Sequence, residues 1–295
     1  MDKLTPTLLG LCSLAALQAQ TLVGVIDIHA HSDPDSMARS IDGVALAKLA
    51  QAKGLRGVVL KNHFESTASL AWLARQQAPG IEVFGGIALN RPLGGINPAA
   101  VEYMVRVKGG LGRVVWMPTF DAENQVRSSE ESRPFVPISK DGRLLPEVGQ
   151  VLDLIARHRL VLATGHSSAS ENLLLIREAK ARGVEHIVVT HAMAPPVGMK
   201  TEEMKQAADL GAFIEFCYGT VLGPKPVPSL AELASAIRRL GPEHCILSSD
   251  LGQAANPLHP DGLLAFFRAL GERGFTAAEI DRMAKANPAK LLGLP

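Results

Sequence analysis

The sequence predicts an α/β protein, a (β/α)8 or TIM barrel with an inserted hairpin-like loop after its fourth strand. Short apolar runs alternate with longer amphipathic runs along the chain. The short runs are rich in Val and Ile and lack polar alternation, which is typical of parallel strands buried on both faces. Eight such strand–helix pairs in a chain of 295 residues match the usual size of this barrel.

Each predicted strand is a short apolar run. The eight strands are Val23–Ile28, Gly57–Leu60, Glu82–Ile87, Arg113–Met117, Leu160–Ala163, His186–Thr190, Ala212–Phe216 and Cys245–Leu247. Each predicted helix has apolar residues at helical spacing. The eight helices are Ser36–Ala52, Ser66–Ala78, Pro98–Val107, Glu147–His158, Glu171–Arg182, Thr201–Leu210, Leu230–Leu240 and Gly262–Leu270. Glycines that follow several of them, such as Gly54 and Gly183, predict left-handed caps.

One segment departs from the alternation. The residues from Phe120 to Pro146 are long and charged, and they contain the turn signal Lys140–Asp141–Gly142 between apolar residues. This pattern predicts a small β-hairpin over Phe135–Leu145. Because long loops on the catalytic side of a barrel are often functional, we expect the segment to act as a lid.

The first 19 residues have the layout of a signal peptide. Lys3 precedes an uncharged run from Leu8 to Leu17, and Ala19 is a suitable cleavage position. The run is shorter than the roughly 20 residues that span a bilayer. We therefore expect residues 20–295 to form one barrel domain that is secreted or periplasmic, or cytoplasmic if the segment is not cleaved. The alternative is a short helix that caps the bottom of the barrel.

Composition narrows the classes of partner. Hydrophobic residues make up 47% of the chain and charged residues 20%, which argues against disorder. Thirty Lys and Arg against 29 Asp and Glu leave a net charge of +1, without the basic surplus that nucleic acid requires. Three cysteines match neither a disulfide framework nor a zinc motif. We expect a small-molecule substrate, no nucleic acid and no membrane; a homo-oligomer remains open.

Histidines are concentrated where a barrel carries its chemistry. Catalytic groups of this fold lie at the carboxyl ends of the strands. Five of the nine histidines and one aspartate follow predicted strands: His29, His31, His63, His166, His191 and Asp250. Residues i and i+2 of a strand share a face, so the first two imidazoles can point at one ion. Imidazole and carboxylate suit zinc, manganese, iron or nickel. We expect one or two divalent ions, with zinc favoured.

The order of these residues resembles the ligand pattern of the amidohydrolase superfamily, with His-x-His on strand one, His on strands five and six, and Asp on strand eight. The chain's end, Asn287–Leu294, resembles a tail found in many members. The resemblance covers nearly the whole mature chain and is strongest to an uncharacterised metal-dependent hydrolase branch. It implies that metal-activated hydroxide cleaves an amide, lactone or ester bond. Asp250 would then serve as general base and acid, and His63, or His191 if it is not a ligand, would stabilise the oxyanion.

The sequence departs from that pattern at strand four. Binuclear members carry a carboxylated Lys or a Glu there, whereas this strand ends Trp116–Met117–Pro118–Thr119. Lys61, at the end of strand two, is the expected substitute as a metal ligand. Equally open is a role for Lys61 in binding a substrate anion or in pairing with an aspartate. His63 is open in the same way: it could bind the metal, contact the substrate or support a neighbouring ligand.

Three further residues are candidates for substrate binding. Arg127 and Arg133 in the inserted segment could hold a carboxylate or phosphate by forked hydrogen bonds, or they could belong to a solvated loop. Glu215 inside strand seven needs a partner because a buried carboxylate is costly. It would contact substrate or Lys61, or form a structural ion pair.

Two other functions fit parts of the pattern. The stretches Asp27–Asp33 and Lys61–His63 also resemble polymerase-and-histidinol-phosphatase (PHP) phosphoesterases, although Asp250–Leu251–Gly252 lacks the late histidine of that family. A non-catalytic secreted barrel that binds metal or ligand is the third possibility. A dinucleotide-binding dehydrogenase is disfavoured because no glycine-rich fingerprint follows the first strand.

Overall fold

The computed structural model describes residues 21–223 and 226–295. Eight parallel strands form one sheet in the order in which they occur along the chain, interrupted only by a separate two-stranded hairpin. The strands are β1 (Ile26–Ala30), β2 (Gly57–Leu60), β3 (Glu82–Ala88), β4 (Gly112–Trp116), β5 (Ser139–Lys140), β6 (Arg143–Leu144), β7 (Val161–Ala163), β8 (His186–Val189), β9 (Phe213–Cys217) and β10 (Cys245–Ser248). The predicted (β/α)8 barrel is confirmed, and β5 and β6 are the predicted hairpin.

Helices connect successive barrel strands on the outside. They are α1 (Gly43–Ala52), α2 (Ala68–Gln77), α3 (Pro98–Arg106), α4 (Glu123–Ser128), α5 (Pro146–Arg157), α6 (Ala169–Ala181), α7 (Thr201–Asp209), α8 (Leu230–Leu240), α9 (His259–Gly271), α10 (Ala277–Asp281) and α11 (Asn287–Leu291). The sequence did not predict α4, α10 or α11, because each is too short to show a helical period.

The predicted first helix is wrong at its start. It begins at Gly43 instead of Ser36, because the Asp42 carboxylate accepts hydrogen bonds from the Val44 and Ala45 amides at 2.9 and 2.8 Å. The residues before it form an irregular loop, in which Arg39 pairs with Gln253 of the segment that follows β10. This loop therefore lies at the carboxyl end of the barrel.

The barrel closes where β1 meets the end of β10. The Ser249 amide donates to the Asp27 carboxylate at 2.9 Å, and the Asp250 amide donates to the His29 carbonyl at 2.8 Å. The His31 amide then donates to the Leu251 carbonyl at 2.9 Å. Burial raises the pKa of Asp27 to about 6 despite these hydrogen bonds. Closure thus fixes Asp250 directly beside His29 and His31.

The chain's last helix closes the opposite end of the barrel. Leu291 and Leu292 meet the interior side chains of Val114, Val161 and Val188 around a void of only about 10 Å³. The Asn287 amide group donates to the carbonyls of Pro242 and Cys245 at 2.8 and 2.7 Å. The segment Asn287–Leu294 therefore has a packing role at this end of the barrel.

The predicted signal peptide, residues 1–19, lies outside the described residues. Among the residues that are described, no helix is both long enough and apolar enough to cross a membrane. Cys217 and Cys245 are both buried and form no disulfide.

Gly86 on β3 lies too close to its neighbours in the barrel to leave room for a side chain. A Cβ added there would lie 2.2 Å from the Val114 carbonyl oxygen and 2.5 Å from the Trp116 ring. Gly86→Ala should therefore lower the free energy of unfolding by about 1–3 kcal/mol or more, measured by urea denaturation. Gly271→Ala is the control, because its Cβ would meet nothing within 4 Å. Equal stability of the two variants would contradict the packing described.

Candidate metal centre

Five imidazoles form a closed circle at the carboxyl end of the barrel. Adjacent ring centroids are separated by 5.2 Å for His29–His31, 4.9 Å for His31–His63, 6.4 Å for His63–His166, 4.9 Å for His166–His191 and 6.0 Å for His191–His29. All five side chains are buried. The structure thus brings together the five histidines that the sequence placed at strand ends.

Asp250 joins two of these histidines. Its Oδ1 lies 3.1 Å from Nε2 of His29 and 3.0 Å from Nε2 of His31. The backbone of Asp250 has a φ of +49°, and that of His191 has a φ of +25°. Residues other than glycine rarely adopt such angles, and they concentrate at functional sites because the surrounding structure must hold them there. Both side chains are therefore aimed by a strained main chain.

Lys61 points into the same circle. Only 1% of the residue is exposed, and its Nζ lies 2.8 Å from Nε2 of His29 and 5.5 Å above the Trp116 ring. Burial lowers the pKa of Lys61, although the charges of Asp250 and Glu215 oppose the shift. The sequence-predicted ligand set, including Lys61, is therefore assembled in one place.

The Nδ1 atoms of His29 and His166, which face away from the centre of the circle, each lie next to a hydrogen-bond acceptor. Nδ1 of His29 lies 3.2 Å from Glu215 Oε1, and Nδ1 of His166 lies 2.8 Å from Gln125 Oε1. A side-chain carbonyl or ionised carboxylate oxygen can only accept, so each Nδ1 carries the proton. The Nε2 of His166 is then left as a lone pair, 3.2 Å from Nε2 of His191.

In His63 the proton is on the other ring nitrogen, Nε2, because Nδ1 accepts a hydrogen bond. The Asn90 amide group donates to Thr119 Oγ1 at 2.7 Å and to the His63 carbonyl at 2.7 Å, so the Thr119 hydroxyl already accepts one hydrogen bond. Thr119 is fully buried, and its hydroxyl proton has one acceptor among the described contacts, Nδ1 of His63 at 2.9 Å. An unmade buried hydrogen bond is costly. Nε2 of His63 therefore carries the other proton and is a hydrogen-bond donor.

The pKa values favour neutral imidazoles at His31 and His191, and a protonated His29 next to an anionic Asp250. Burial lowers the pKa of His31 to about 3 and that of His191 to about 4. Burial would also lower the pKa of His29, but Asp250 and Glu215 raise it to about 9. Burial alone would raise the pKa of Asp250, yet His29 and His31 hold it well below its usual value.

These groups fit a divalent cation. Nδ1 of His31 and Nδ1 of His191 are buried without a hydrogen-bond partner among the described residues, and the proton on His29 is retained because two carboxylates surround it. A cation supplies the positive charge that this proton otherwise provides, and neutral imidazoles are the form that binds metal. His29, His31 and Asp250 present ligand atoms within 4.8 Å of one another.

Glu215, a candidate for substrate binding or for a structural ion pair, is held by protein groups inside the barrel. It is buried, and it accepts hydrogen bonds from Ser248 Oγ at 2.7 Å and from the His191 amide at 3.0 Å, besides its contact with His29. Its oxygens are thus used inside the barrel. The pKa of Glu215 is lowered to about 2, because the charge of His29 and these hydrogen bonds outweigh burial.

The two arginines are also engaged by protein groups. Arg133 pairs with Asp121 and Glu131 and donates to the Phe120 carbonyl at 2.6 Å, so it fixes the loop that packs on His63. Arg127 is paired with Glu123 at 2.7 Å and its side chain is 66% exposed. It lines a cleft of about 810 Å³ between α4, the hairpin and the start of α6. The structure places both arginines outside the histidine circle.

Sequence reasoning missed the residues that orient the imidazoles. Gln125 lies on the short helix α4, and Asn90 and Thr119 follow β3 and β4. Asn90 also accepts hydrogen bonds from the Thr119 and Asp121 amides at 2.9 and 3.1 Å. The one signal in the sequence was that Asn90 and Thr119 lie just beyond predicted strands, at the carboxyl end of the barrel where the site is.

Thr119→Val tests the proton assignment of His63. Valine keeps the shape but removes the hydroxyl, so the free energy of unfolding should fall by about 1–3 kcal/mol. In ¹⁵N NMR spectra of histidine-labelled protein, the His63 proton should no longer be confined to Nε2. Thr119→Ser is the control and should retain both properties. An unchanged His63 spectrum in the valine variant would refute the assignment.

Solved structures with a similar fold are hydrolases by their descriptions. An organophosphorus hydrolase from Deinococcus radiodurans is 18% identical, with a TM-score of 0.63 over 94% of this chain and 97% of its own. A variant PTE-like lactonase from the same organism is 16% identical, with a TM-score of 0.62 over 93% and 97%. A structure concerned with organophosphate hydrolysis engineered from a weak promiscuous lactonase template is 18% identical, with a TM-score of 0.62 over 93% and 100%.

At this level of identity the likeness confirms the barrel fold alone. No curated protein matches the sequence. A family model does match, over residues 24–215, which include β1 to β8, the first part of β9 and all the candidate ligands except Asp250. Because this match spans well over half of the chain, the protein belongs to the family described as a family of unknown function, DUF6282.

Proposed function

We propose that this chain is a metal-dependent hydrolase that cleaves a lactone, ester or amide bond of a small molecule. One observation carries the proposal: Nε2 atoms of His29 and His31 meet the same oxygen of Asp250, at 3.1 and 3.0 Å, at the carboxyl ends of β1 and β10. Catalytic groups of this fold lie at that end.

The residues that would hold the metal surround this contact. They are His29, His31, Lys61, His166, His191 and Asp250. One or two divalent ions fit this donor set, with zinc first and manganese, iron or nickel as alternatives. When bound, such an ion polarises the scissile carbonyl and lowers the pKa of a water molecule toward 7.

Asp250 and His63 are the residues proposed to act on substrate. The Asp250 side chain is 18% exposed, more than the His29 and His31 side chains that it contacts, so a water proton can reach its carboxylate. Asp250 takes that proton and returns it to the leaving group. The Nε2–H of His63 donates a hydrogen bond to the oxygen that becomes negative in the transition state.

An aromatic wall next to His63 favours a substrate with an apolar part. The Phe120 ring lies 4.2 Å from the His63 ring and 6.3 Å from the Phe64 ring, measured between centroids. Lactones and aryl esters combine such a part with an electrophilic carbonyl. The solved neighbours described as a lactonase and an organophosphorus hydrolase support testing lactones and phosphotriesters first.

Asp250→Asn should abolish most turnover while leaving the fold intact. Loss of a general base typically lowers the rate by about 10²–10⁴-fold. The measurement is hydrolysis of a panel of lactones, aryl esters, amides, phosphotriesters and phosphomonoesters by zinc- or manganese-loaded protein. Asp261→Asn is the control, because Asp261 is exposed on α9.

Full activity of Asp250→Asn would disprove its catalytic role. Cleavage of phosphomonoesters alone would favour the PHP-like alternative. Metal retention without turnover on the whole panel would favour a non-catalytic binding protein.

Lys61→Ala tests whether this lysine bridges two ions. A neutral Lys61 amine can add carbon dioxide and lose a proton, which yields a carbamate with two ligand oxygens. The metal content of purified protein should then fall from two ions to one per chain, measured by elemental analysis. Lys53→Ala, on the surface, is the control. An unchanged metal content in Lys61→Ala would rule out the bridge.

A further inference from the structure

We propose that Glu215 is a positioning residue that holds two candidate ligands, His29 and His191, in their binding geometry. The inference rests on the proposed function in that these histidines are taken to bind a metal. One carboxylate in the barrel interior would thus orient groups at the ends of two different strands.

The contacts of Glu215 reach three other parts of the barrel. From the middle of β9, Oε1 lies 3.2 Å from Nδ1 of His29 on β1 and 2.7 Å from Oγ of Ser248 on β10. Oε2 lies 3.3 Å from the same His29 nitrogen and accepts from the His191 amide, just after β8, at 3.0 Å. The residue is 2% exposed, so water does not compete for these contacts.

The contact with His29 decides which ring nitrogen faces the centre. An ionised carboxylate has no proton to donate, so Nδ1 of His29 must carry one. Nε2 then faces Asp250 Oδ1 at 3.1 Å and Lys61 Nζ at 2.8 Å. Carboxylates that orient a metal-binding histidine in this way raise both its basicity and its affinity for the ion.

The contact with His191 acts through the main chain. The φ of His191 is +25°, an angle that a residue other than glycine adopts only when its surroundings hold it there. The hydrogen bond from the His191 amide to Glu215 is one of those constraints. The direction in which the His191 ring meets His166 therefore depends on Glu215 as well.

A competing role for Glu215 is direct binding of a cation with His29 and Cys217. These three residues offer ligand atoms within 4.8 Å of one another, and Cys217 Sγ lies 3.8 Å from Nδ1 of His29. However, the Ser248 hydroxyl and the His191 amide already point their protons at the Glu215 oxygens. A cation there would face those protons, so positioning is the favoured role.

The first test compares the zinc affinities of three proteins by chelator competition. Glu215→Gln keeps the size of the side chain but turns an N–H group toward donors, and it should weaken zinc binding by about 10–100-fold. Cys217→Ala should leave both affinity and metal content unchanged. Wild-type affinity in folded Glu215→Gln would overturn the proposal, and so would the loss of an ion from Cys217→Ala.

The second test needs neither metal nor a folded variant of Glu215. In ¹⁵N NMR of metal-free wild-type protein with labelled histidine, assigned with a His29→Asn variant, Nδ1 of His29 should carry a slowly exchanging proton. A bare Nδ1 would refute the positioning role. If the wild type binds no metal, the proposed hydrolase fails, whereas this spectrum still decides how Glu215 holds His29.

Discussion

The closure of the barrel between β1 and β10 is the constraint on which the site depends. Asp27 on β1 accepts the Ser249 amide, and the His29 carbonyl accepts the Asp250 amide. These backbone contacts set Asp250 against the Nε2 atoms of His29 and His31. Had the two strands not met, the Asp250 carboxylate would lie apart from the imidazoles of His29 and His31, with no shared ligand geometry.

Burial requires the charged groups at this site to be paired with one another. Asp250, Glu215, Lys61 and His29 are packed against one another where water is largely excluded. Buried charges are tolerated only when they are paired and hydrogen-bonded. Anionic carboxylates, imidazoles and one amine surround a common point, and a divalent cation there would take over the positive charge that the proton on His29 supplies.

The inserted segment after β4 supports the site from outside the circle. Gln125 on α4 binds Nδ1 of His166, and Arg133 ties Asp121 and Phe120 into the loop that packs on His63. The segment was expected to be a lid, and that role remains a prediction. What the structure adds is a hydrogen bond by which the insertion orients His166, and a packing contact of Phe120 with His63.

The sequence by itself determined the eight strands, the seven helices whose starts agree within two or three residues, and the strand ends that carry five histidines and Asp250. It could do so because apolar runs report burial locally, and parallel strands bring their carboxyl ends to one edge. It missed the start of α1 and the helix α4, which are set by a cap and by packing. Only the tertiary structure decided that Glu215 holds His29, that Arg133 faces Asp121, and that Thr119 sets the proton on His63. Those contacts join positions 12, 56 and 186 residues apart, and no local period of the sequence encodes them.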